Sequence, residues 1–77
     1  NPVRNGETTI YFSIAEEGHV SLCLYNSLGV KVQTIVNEEL PNGAHSKSID
    51  LSSLPSGLYH YVMNVNGYSL SKSLIIE

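Results

Sequence analysis

The amino-acid sequence predicts an all-β sandwich or barrel, and three observations carry that expectation. Apolar residues recur at every second position in several short runs, as strands with one buried face require. Helical spacing of apolar residues is absent from every stretch of eleven or more. Clusters of Gly, Pro, Asn and Ser separate the runs at the short intervals that all-β folds use for turns.

The totals bound the class of protein. At 77 residues the chain is one domain, and a chain of that size buries only about 60% of the surface its unfolded form exposes. With 42% hydrophobic and 14% charged residues it is too apolar for a disordered tail and too often interrupted for a membrane span. A formal charge of −3 with only four Lys and Arg argues against nucleic acid and anionic membranes, both of which need clustered cations. The single cysteine, Cys23, leaves the fold to its core without an internal disulfide. The chain opens on Asn1-Pro2 with neither a methionine nor a signal-peptide pattern, which reads as the start of a domain within something longer.

Taken in order, Pro2 to Arg4 can add a short edge strand before a turn at Gly6. "TTIYFSI" puts Ile10, Phe12 and Ile14 on one face, and "HVSLCLYN" does the same with Val20, Leu22 and Leu24. "VKVQTIV" follows with Val30 and Val32, and "HSKSIDL" is a weaker, more polar run. "LYHYVMNV" and "YSLSKSLII" complete six or seven strands, with turn chemistry in "EEGH", "NSLG", "ELPNGAH", "LPSG" and "NG" between them.

Asn66-Gly67 is the strongest local signal, because a two-residue type I′ hairpin needs positive φ at both positions. It sets Val65 opposite Tyr68, Met63 opposite Leu70, Tyr61 opposite Lys72 and Tyr59 opposite Leu74. One face then collects Tyr59, Met63, Val65, Leu70, Leu74 and Ile76, while Ser69, Ser71 and Ser73 meet water. Lys72 falls on the apolar face. Its methylene stem can cover the core rim while the ammonium reaches water, or it can be a fixed cation that a partner reads.

"LPSGLYHYV" is expected to form a corner. In Greek-key sandwiches a tyrosine at the start of the penultimate strand bonds back to backbone a few residues upstream, and Tyr59 sits there. Pro55 fixes φ on the way in, and Gly57 supplies a conformation closed to residues with a Cβ.

Little in the chain suggests catalysis. His19, His45 and His60 are isolated and expected on the surface or in turns, without metal-site spacing. Cys23 alternates away from Val20, Leu22 and Leu24, so it is expected outside or half buried, as an inert small apolar residue. Glu16-Glu17 and Glu38-Glu39 are expected beside turns and solvated, and the glycines are too scattered for a phosphate loop. Neither an enzyme nor a cofactor or metal site is expected.

Together "NPV", "TIYFSI", "GHVSLCLYNSLGVKVQTIV", "LPSGLYHYVMNVNG" and "SKSLIIE" resemble the type A C-terminal sorting domains of type IX (Por) secretion, found on exported proteins of Bacteroidetes-like bacteria. The resemblance spans essentially the whole chain. It implies an Ig-like Greek-key β-sandwich of about seven antiparallel strands over residues 1–77, with the cargo upstream. The implied route runs through the periplasm and outer membrane to the cell surface or medium. The implied partners are the type IX translocon and its shuttle components, a sortase-like cysteine peptidase that removes the domain, and the N-terminal cargo.

Positions matching the family pattern are Asn1, Pro2, Gly29, Leu54, Ser56, Gly57, Tyr59, Gly67 and Lys72. Gly57, Tyr59, Tyr61, Gly67 and Lys72 are the candidate recognition residues, with Tyr61 and Lys72 adjacent across the last hairpin. Departures from the pattern are Asn26 and Val30 in place of an acid and a basic residue, Ile49 before Asp50 in place of an aromatic, and an end at Ile75-Ile76-Glu77 rather than basic residues. A second reading of the same strand grammar is an accessory Ig-like or fibronectin-like spacer or binding module.

Overall fold

The computed structural model describes residues 2–3 and 6–77, with side chains from Gly6 onward. Its strands are β1 (Pro2–Val3), β2 (Glu7–Ile14), β3 (Gly18–Asn26), β4 (Lys31–Leu40), β5 (Gly43–Asp50), β6 (Gly57–Val65) and β7 (Tyr68–Ile76). They form a five-stranded sheet in the order β1-β7-β6-β3-β4 and a two-stranded sheet β2-β5.

The chain changes sheet from β1 to β2, from β2 to β3, from β4 to β5 and from β5 to β6, while β3–β4 and β6–β7 stay within one sheet, a Greek-key course between two layers. Burial follows from the pleat. Ile10 and Ile14 of β2 and Ile49 of β5 face Val20, Leu22 and Leu24 of β3, with Tyr59, Met63, Leu74 and Ile76 beside them. Val20, Leu22, Leu24 and Leu51 are essentially sealed from water, and each such side chain contributes about 1.5–3 kcal/mol of transfer free energy.

The expected count of antiparallel strands needs correcting from about seven to six. β1 runs parallel to β7, with Pro2 opposite Ile75 and Val3 opposite Ile76. Two residues carry no alternation, so neither their partner nor their direction is legible locally. The expectations at Asn1 and Arg4 lie outside the described residues.

β4 departs from simple alternation. Its register with β3 slips between Leu22 and Cys23 and again between Leu24 and Tyr25, leaving Ile35 and Val32 as extra residues. The first slip lets neighbouring Ile35 and Val36 both be buried. Val30, expected on the inner face with Val32, lies outside β4 and is exposed. Glu38 and Glu39 are exposed as expected, at the end of β4 just before the turn into β5, opposite Val20 and His19. Cys23 is buried, only 7% exposed, between its neighbours Thr34 and Val62 on the side of the sheet away from the core.

Candidate functional site

The last hairpin places the candidate residues. Asn66 (φ 51°) and Gly67 (φ 76°) take positive φ together, and the pairing from Val65–Tyr68 to Gly57–Ile76 is the one their turn dictates. Asn66 also reaches back across the molecule. Its Nδ2 donates to the carbonyls of Glu16 (3.2 Å) and Glu17 (3.3 Å), tying the β6–β7 turn to the β2–β3 turn. Gly18 makes room for this contact, since a Cβ there would overlap the Asn66 amide. Neither residue's part in this clamp shows in local sequence, because the two lie far apart along the chain.

At the other end of β6 the Tyr59 hydroxyl donates to the Pro55 carbonyl at 2.7 Å, closing the expected corner. Gly57 enters it at φ +154°, a conformation that L side chains rarely adopt. The Tyr59 ring is buried, so its part is to fix the corner from within.

Tyr61 and Lys72 are direct cross-strand partners midway along the hairpin. Tyr61 is half-buried against the core, and Lys72 is exposed even though it lies on the inner face. The structure therefore brings Tyr61 and Lys72 together, sets Gly57 and Tyr59 at one end of the hairpin, and leaves Gly67 at the other.

Leu70 was expected in the core, and it is 42% exposed. Among the described residues the second sheet has two strands, too few to roof the middle of β7. What remains is a groove between β2 and the β6–β7 hairpin. A cavity of about 510 Å³ lined by Ile14, Glu16, Met63, Val65, Tyr68 and Leu70 adjoins one of about 300 Å³ that reaches Tyr61 and Lys72.

The remaining polar residues have local duties. His19 Nε2 donates to Asn37 Oδ1 at 2.6 Å, and His45 Nε2 donates to the Pro41 carbonyl at 2.7 Å while stacking on Phe12. His60 stacks on Tyr25 with ring centres 5.6 Å apart. Asp50 accepts from the Ser52 backbone N–H, and that bond holds its carboxyl below the usual carboxylate range. Asn26 Oδ1 accepts from the Leu28 and Val30 amides, both at 3.0 Å. An amide oxygen thus fills the acceptor role open to a carboxylate at this turn, which accounts physically for one departure from the family pattern. Among the described residues no group of three or more His, Cys, Asp or Glu side chains converges.

Sheet order β7-β6-β3-β4 opposite β2-β5, a first strand laid on the last, and a tyrosine corner at the start of the penultimate strand define an Ig-like β-sandwich module. The model of the family described as "Secretion system C-terminal sorting domain" matches residues 1–77, and the chain belongs to that family. It is a type IX secretion sorting signal, which implies interaction with the type IX machinery and export to the cell surface or extracellular space. Sorting domains and Ig-like folds are typically non-catalytic. No curated protein matches the chain in sequence. Among solved structures, the Ig1 domain of mouse SynCAM 2 is similar at 13% identity and a TM-score of 0.47, covering 97% of this chain and 85% of that one.

Proposed function

We propose that residues 1–77 are a single folded address at the C-terminal end of a longer exported protein, read by the type IX translocon or its shuttle after the cargo reaches the periplasm. The observation that carries this reading is the family match along the full length of the chain. The cargo then crosses the outer membrane, and a sortase-like cysteine peptidase cuts upstream of the module during surface attachment. The domain is the substrate of that peptidase and contributes no catalytic group.

Recognition falls on the last hairpin. Lys72 offers a cation on an exposed part of the inner face, and Tyr61 stands directly across from it. Gly57, Tyr59 and Gly67 act by holding the two ends of the hairpin in shape.

The test is to fuse residues 1–77 to the C-terminus of a periplasmic fluorescent reporter in a bacterium with type IX secretion. Surface or medium localisation that disappears in a translocon-deficient strain is expected. Retention of a folded fusion in the periplasm of the competent strain would favour a spacer or binding module instead.

A further inference from the structure

β7 is an edge strand for most of its length. β1 covers only Ile75 and Ile76, so the outer edge from Tyr68 to Leu74 has no strand beside it among the described residues. Among the described residues β2 pairs with β5 alone, and its other edge borders the same groove. Unpaired backbone amides and carbonyls along such an edge are a template for another strand.

The side chains say what kind of strand. Tyr68, Leu70 and Lys72 point to the inner face at alternate positions, and the first two are large, exposed and beside the buried Met63 and Val65. A strand laid along the edge would place its own alternate side chains over them at the same spacing of about 6.6 Å. Charge gives the groove polarity. Lys72, which makes no hydrogen bond or ion pair among the described residues, stands at one end, and Glu16 lines the other.

A second copy fits poorly. Pairing β7 with β7 would bring an inward-pointing lysine from each copy to one seam, a device that opposes edge-to-edge association, and each chain carries a net −3.

We propose that this groove receives an extended segment of the export machinery that pairs with the β7 edge, alternates apolar side chains inward, and carries a carboxylate at the Lys72 end and a cation at the Glu16 end. The proposal rests on the sorting reading and specifies the chemistry of the partner at that surface.

The probe is a nine-residue peptide of alternating Val and Thr with one Glu and one Lys four positions apart, titrated into the isotopically labelled 77-residue chain. A second peptide replaces its Glu by Lys. Amide shifts are expected along Tyr68–Leu74 and at Ile14, with affinity for the first peptide about tenfold weaker in Lys72→Glu and recovered with the second. Absence of binding, shifts elsewhere, or equal affinity of both peptides for both proteins would overturn the proposal. So would the same shifts on concentrating the chain without peptide, which would mark a self-association edge.

In the full-length exported protein, Leu70→Glu, with the domain still protease-resistant, is expected to cut export about tenfold. Wild-type export of that variant would remove the groove from recognition and leave the sorting reading intact. Failure of the unmutated protein to depend on the translocon would instead remove the sorting reading.

Discussion

The two halves of β7 share one face of one sheet and differ in everything that follows from cover. Toward the corner, Tyr59, Leu74 and Ile76 are buried and a side-chain hydrogen bond locks the strand entry. In the middle, Leu70 and Lys72 lie on the same face and are exposed. Alternation decides which way a side chain points, and the opposite sheet decides whether it meets water. A two-stranded second layer roofs β6 along its length, burying Met63 and Val65, but on β7 it covers only the corner end.

The largest effect expected is at the covered half. Leu74→Ala should cost about 2–5 kcal/mol through lost burial and a residual cavity, whereas Leu70→Ala should stay within about 1 kcal/mol because the site already meets solvent. Equal losses in urea melts of the two variants would erase the distinction between the halves. Next in size is Gly18→Ala. A methyl there displaces the Asn66 amide from its carbonyl partners, and a loss of about 1–3 kcal/mol is expected. A Gly18→Ala protein that melts with the wild type would show that the clamp holds nothing.

Tyr59→Phe removes the hydroxyl bonded to Pro55 and should lower stability by about 0.5–1.5 kcal/mol. An unchanged midpoint would leave the corner without an energetic role. The smallest effect concerns Asp50. Its folded-state pKa is depressed by the Ser52 backbone bond, so its contribution is present above the ordinary aspartate value of about 4 and is lost as pH falls through the lower folded value. Asp50→Asn should flatten that part of the acid melting profile slightly, and an identical profile would assign the acid sensitivity to other carboxylates.

Much of the hairpin was legible because its signals are local. Asn66-Gly67 alone determines the pairing of Tyr61 with Lys72, and Pro55, Gly57 and Tyr59 lie within one corner. What escaped depends on distant chain. The slips that bury both Ile35 and Val36 arise from pairing with β3, and the burial of Cys23 comes from strands on both sides of it. The Asn66 clamp joins residues about fifty positions apart, and the exposure of Leu70 reflects a missing neighbour, which no local pattern encodes. The groove was hidden for the same reason. Lys72 was the one visible hint, an inner-face cation that a closed core would not hold.

The most direct measurement is the rate at which a reporter bearing Lys72→Ala in its sorting domain reaches the cell surface, taken beside the thermal melt of the same domain. A wild-type melt with export slowed several-fold is predicted, since an exposed side chain contributes little to folding. A folded Lys72→Ala domain that delivers its reporter at the wild-type rate would contradict recognition through the open half of β7.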